Sequence, residues 1–144
     1  MEIFSTPRWK DGWYVLPWEV IWRDLDSVGH VNNAVYFTYF EMGRTRYWLD
    51  LRGGEKALDI EFIVARAECD FVRQLSLGQR IEIATRIGEI RNSSFDFQTE
   101  VRCEDGVAAK GRVVAVHFSW HENRKRPLPD ELRKRIEDFQ KQEV

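Results

Sequence analysis

Between Asp24 and Tyr36 the chain reads Asp-Leu-Asp-Ser-Val-Gly-His-Val-Asn-Asn-Ala-Val-Tyr. A carboxylate such as Asp26 can attack an acyl carbon directly or take a proton from a water that attacks it. Asn32 and Asn33 stand where a helix begins, and the free N–H groups at a helix start, on its positive end, stabilise an oxyanion. Carboxylate and helix start together suit acyl-transfer chemistry. Asp24 and Asp26 alternate, so on an extended segment both would face one way. Either can instead close the turn by accepting backbone N–H groups, which is the reading preferred for Asp24. Gly29 marks a left-handed or close-approach position. His30 either orients Asp26 and donates to a substrate, or is a hydrogen-bonded loop residue.

These groups need elements to hold them. A strand over Trp18–Asp24 leads into the loop. From Asn32 or Asn33, good N-caps, a helix runs to Leu51. Its coat is apolar almost all round, broken by Glu41, Arg44, Arg46 and Asp50, which is the pattern of a buried helix. Gly53-Gly54 ends it. Strands follow at 60–72, 80–90, 94–103 and 107–120. In the first, Ile63, Ala65, Ala67, Cys69 and Phe71 share a face; in the last, Val114, Val116, Phe118 and Trp120 do. Asp105-Gly106 is a hairpin signal, and short turns make three of these strands a meander. Met1–Pro17 is an arm whose Trp9 and Trp13 dock on the body or on a partner, and a C-terminal helix occupies 129–142. The expected architecture is one α+β domain over residues 1–144, a curled antiparallel sheet of about five strands wrapped around one long helix.

A chain of 144 residues with 43% apolar and 13% aromatic content buries a real core. The net charge of −2 leaves no basic field for nucleic acid. Cys69 and Cys103 lack zinc spacing and read as small buried thiols at apolar strand positions. No stretch has the length of a membrane span or the form of a signal peptide, which points to the cytoplasm. His117 and His121 read as surface residues.

The run Asp24–Tyr36, followed by Phe40-Glu41 and Arg44, resembles the loop and central helix of hotdog-fold acyl-CoA thioesterases. It is similar to the 4-hydroxybenzoyl-CoA thioesterase branch over roughly residues 17–130. The resemblance implies hydrolysis of an acyl-CoA or acyl-carrier-protein thioester without a metal or redox cofactor. It implies Asp26 as the catalytic carboxylate and the Asn33 N–H as the group that polarises the carbonyl; His30, the third catalytic candidate, comes from the loop residues themselves. Asn32, Tyr36 and Glu41 are the candidates around the substrate, with Tyr36 as wall. Glu41 is an alternative acid, although its spacing from Arg44 favours an ion pair. The resemblance further implies a homodimer or homotetramer with the site at the seam. The Gly-His-Val-Asn-Asn form departs from the benzoyl-specific members. A hotdog enoyl-CoA hydratase or dehydratase is an alternative, but its Asp-x-Asn-Pro-x-His pattern is absent. A non-catalytic acyl-CoA-binding module is the other. Arg66, Arg73, Arg91, Lys110, Arg112 and Arg124–Arg126 are candidates for coenzyme A phosphates.

Overall fold

A computed structural model describes residues 6–54, 56 and 59–142. The central helix α1 spans Asn33–Arg52. It starts because Asn32, in extended conformation, turns its side-chain oxygen onto Ala34 N at 2.9 Å. It stops at Gly53, whose φ of 70° is the left-handed C-cap that lacks a Cβ penalty. Tyr36, Tyr39, Phe40, Tyr47, Trp48 and Leu51 are all buried along it.

The sheet curls over this helix. Its strands are β1 (Arg8–Lys10), β2 (Trp13–Glu19), β3 (Phe62–Phe71), β4 (Arg80–Ile90), β5 (Ser94–Cys103), β6 (Gly106–Ser119) and β7 (Arg124–Lys125). They run in the order β1-β2-β4-β5-β6-β3, antiparallel throughout, with β7 beside β6. Helix α2 (Asp130–Gln140) packs Leu132 and Ile136 inward. The expected meander is β4-β5-β6. Ile81, Ile83 and Ile87 of β4 and Phe95, Phe97, Thr99 and Val101 of β5 face the core as their alternation requires. Helix and sheet touch closely at Gly111 of β6. A Cβ there would lie 2.6 Å from the Phe40 ring and 2.3 Å from the Glu68 carbonyl oxygen of β3.

Several expectations are corrected. The arm is structured: residues 8–19 form β1 and β2, and the strand entering the loop is Trp13–Glu19 rather than Trp18–Asp24. Trp22–Asp24 is instead a short 3-10 turn. With β1 and β7 added, the sheet has seven strands among the described residues rather than about five. On β6 the buried row is Val113, Ala115 and His117, and Val114, Val116 and Phe118 alternate with it. β6 is apolar on both faces, so alternation left its parity open. The register Phe97↔Val113 and Phe95↔Ala115 sets it by pairing with inward rings. His117 is therefore buried, its Nδ1 3.2 Å from the Arg126 carbonyl oxygen. On β3 a bulge between Val64 and Arg66 breaks the expected alternation. β3 is an edge strand, and Ile63, Val64, Phe71 and Val72 are exposed along or just beyond it.

Two clusters tie the periphery to the helix. Trp9 of β1, Tyr14 of β2, Tyr47 of α1 and Phe139 of α2 meet edge-on or tilted, with centroids 5.0–6.0 Å apart. At the other end of α1, Arg52 donates to Glu61 at 2.6 and 2.9 Å and to Glu131 at 3.1 Å, and Trp48 Nε1 donates to Glu61 at 3.3 Å.

Candidate active site

The loop before α1 is a small closed unit. Gly29, at φ 87°, donates its N–H to Asp26 O at 3.1 Å. Asp26 N donates to His30 O at 2.8 Å, Leu25 bridges Val31, and Asn32 N donates to Asp24 O at 2.9 Å. The unit is moored to the β3–β4 connection by the His30–Ser76 bridge and by Val31 N to Leu75 O at 2.9 Å. Short side chains and one glycine suffice for this geometry.

The two acids part company. The 3-10 turn at Trp22–Asp24 means the segment is not extended, so Asp24 and Asp26 do not face one way as the alternation implied. Asp24 is buried and accepts from Tyr39 OH at 2.8 Å and from Ile21 N at 3.2 Å. Asp26 is exposed. Its Oδ1 accepts from Val28 N at 2.9 Å and His30 N at 3.3 Å, while Oδ2 has no donor among the described residues.

Asp26, His30, Asn33 and Tyr36 line one cavity of about 300 Å³, together with Val28, Val31 and residues 71–74. Four of the six site candidates are thus brought together. The Asn33 N–H has no acceptor among the described residues, as expected of a first-turn amide. Tyr36 is the wall. Its hydroxyl donates to Arg73 O at 3.1 Å and its ring lies 5.4 Å from Phe71. Burial, and then the nearby Cys69 and Cys103 thiols, push the Tyr36 phenol above its ordinary range, so it stays a donor. Asn32 lies outside the cavity lining, its side chain engaged as the N-cap. Glu41 is also outside, exposed and 3.8 Å from Arg44. Burial lowers the Arg44 guanidinium, with Glu41 opposing.

Phe71, Val72, Arg73 and Gln74 were not legible as lining residues, apart from Arg73 as a phosphate candidate. Long-range contacts carry that segment to the helix start: the β3–β6 pairing, the bridge from the loop to the β3–β4 connection, and the Tyr36 bond to Arg73 O. Among the phosphate candidates, Arg66, Arg91, Arg112, Arg124 and Arg126 all have carboxylate partners. Arg73 has none among the described residues. A separate depression of about 340 Å³ is lined by Glu68, Cys69, Arg112 and other residues of the sheet, and by no residue of the helix start.

A family model described as the thioesterase-like superfamily matches residues 20–136, the loop, α1 and the whole meander. The chain belongs to the thioesterase-like superfamily. Relatives agree with this membership. The chain is 31% identical over 84 residues to the acyl-CoA thioesterase YbgC of Helicobacter pylori, which is 58% of this chain and 63% of that protein. Among solved structures, a predicted thioesterase of Bacillus stearothermophilus superposes with a TM-score of 0.80 at 29% identity, covering 87% of this chain and 94% of that one. A Thermus thermophilus thioesterase solved with coenzyme A and Zn gives 0.74 at 35%, covering 85% and 95%. For this superfamily member the curled sheet around α1 is the hotdog fold that the loop residues implied.

Proposed function

We propose that this chain hydrolyses acyl thioesters of coenzyme A, with Asp26 as the base or nucleophile and the Asn33 N–H as the oxyanion donor. One observation carries the reading: Asp26, whose carboxylate is exposed, and Asn33, whose first-turn amide has no acceptor among the described residues, line the same cavity. Asp26 Oδ1 is held by Val28 and His30 amides, which leaves Oδ2 to take a proton from water or to attack the thioester carbon. Negative charge then develops on the carbonyl oxygen, where the amide and the positive helix end stabilise it; one such donor is worth about 2.7–4 kcal/mol in the transition state. The C–S bond breaks and the thiolate leaves: in the base route Asp26 returns to it the proton taken from water, giving acid and thiol, and in the nucleophile route solvent protonates it while water hydrolyses the acyl-aspartyl anhydride to free the acid and Asp26. His30, beside Asp26, donates to the substrate, and Tyr36 and Phe71 wall the acyl group. Coenzyme A is further supported by the Thermus thermophilus structure solved with it.

Self-association belongs to the same reading. The free edge of β3 offers unpaired backbone and the exposed Ile63 and Val64, while Phe71 and Val72 extend this edge into the cavity lining. A second copy added there as a homodimer would wall the open side of the site. The two cysteines are unbridged, which suits a reducing cytoplasm.

The test is thiol release from a panel of acyl-CoA and acyl-carrier-protein thioesters. Asp26→Asn is expected to lower kcat by about 10²–10⁴-fold with the melting temperature held. Wild-type-like turnover in that variant removes Asp26 from the mechanism.

A further inference from the structure

The superfamily match and the cavity leave one acid without a task. Asp24 is only 9% exposed, yet no cation bonds to its carboxylate among the described residues. What it does touch is telling. Its backbone oxygen receives Asn32 N at 2.9 Å, which ties the two ends of the loop together. Its Oδ2 receives the Ile21 amide at 3.2 Å and the Tyr39 hydroxyl at 2.8 Å. Tyr39 is fully buried on α1, nearly two turns beyond Asn33. Burial first, and then Asp24 itself, raise the Tyr39 phenol above its ordinary range, so the hydroxyl remains a donor at neutral pH.

We infer that Asp24 and Tyr39 are positioning residues: their buried hydrogen bond fixes the Asp26 loop against the helix whose first amide faces the same cavity. Carboxylate and amide are joined by the loop itself, and among the described residues the Asp24–Tyr39 bond adds a side-chain link that ties the loop to the body of the helix, beyond the cap at Asn32. Misplacement of a reacting group by about 1 Å can cost on the order of 100-fold in rate. Because both donors go to Oδ2, an asparagine carbonyl can take both, so the role needs an acceptor and not a charge. This separates Asp24 from Asp26, for which the charge is the point. The inference rests on the proposed role of Asp26 for its kinetic consequence, but not for its structural one.

Two readouts test it. The first is kcat and KM for one acyl-CoA in Tyr39→Phe, Asp24→Asn, Asp24→Ala and Asp26→Asn. Tyr39→Phe and Asp24→Ala are expected to lose about 10–100-fold in kcat with KM within about twofold, while Asp24→Asn stays within about threefold of wild type. The second is amide hydrogen exchange at Gly29, His30 and Asn32, compared with amides in the middle of α1. Exchange at the three loop amides is expected to accelerate at least tenfold in Tyr39→Phe and to hold in Asp24→Asn, with α1 unchanged in both. Should Asp24→Ala fail to fold, Tyr39→Phe and Asp24→Asn still decide. Unchanged kcat and unchanged loop exchange in Tyr39→Phe overturn the inference, as does an Asp24→Asn loss equal to that of Asp26→Asn. If Asp26→Asn is fully active, or the wild type releases no thiol, the proposed function fails instead; the exchange measurement then judges the loop anchor alone.

Discussion

Glu61 offers a sharp test of the packing at the far end of the central helix. Burial works to raise its carboxyl, but His117, the Arg52 guanidinium and the Trp48 indole N–H face it and bring it down to about 2, from an ordinary 4.5. Arg52 leads on distance: its contacts are 2.6 and 2.9 Å, while His117 Nε2 stands 4.0 Å away. The interval from 4.5 to about 2 corresponds to about 3 kcal/mol, at about 1.36 kcal/mol per pH unit. The Glu61 side chain is 30% exposed, and solvent screening reduces this to about 1–2 kcal/mol. The sign follows from the folded value lying below the unfolded one. The stabilisation is complete above about pH 4.5 and drains away as pH falls from there towards 2. Urea unfolding of wild type and Glu61→Gln at pH 7, 5, 4 and 3 measures it. The variant is expected to be less stable by about 1–2 kcal/mol at pH 7, with the gap shrinking steadily below pH 4.5. A gap of the same size at pH 7 and pH 3 refutes the reasoning.

Gly111→Ala forces a methyl into the Phe40 ring and the Glu68 carbonyl, and the second of these is backbone that cannot swing aside. Overpacking of this kind costs about 1–3 kcal/mol, so the melting temperature is expected to drop by about 5–10 °C; a change under 1 °C shows that β3 and α1 yield freely there. Val64→Lys places a charge on the free edge of β3, and light scattering after gel filtration is expected to find the variant at monomer mass where the wild type is a dimer. A wild type already monomeric rejects the edge-pairing proposal.

The amino-acid pattern disclosed the centre of the molecule better than its rim. The N-cap at Asn32, the stop at Gly53, the buried coat of α1 and the inward rows of β4 and β5 all follow from local rules of spacing and capping. Asp26, His30, Asn33 and Tyr36 converge because the loop and the first helical turn are contiguous, so their proximity is nearly covalent. What local rules lacked was anything decided by a distant partner. The parity of β6 depends on its register with β5, and the segment after β3 reaches the cavity through long-range pairings with β6 and the loop. Trp22–Asp24 misled for another reason. A row of Val20, Ile21 and Trp22 reads as strand, but the Asp24 carboxylate takes the Ile21 amide and winds the chain into a turn. The same carboxylate that misdirected the strand assignment is the one that holds the loop.

The ring of aromatics shared by Trp9, Tyr14, Tyr47 and Phe139 has a consequence for how the chain comes into being. Trp9 finds a neighbour in Tyr14 within moments of synthesis, yet its face towards Phe139 stays bare until the stretch between them has been made. At about 5–20 residues per second, that is a wait of about 7–26 s on the ribosome. During it a large indole stands uncovered beside an unfinished sheet, so this is the joint that a nascent-chain chaperone would have most reason to shield.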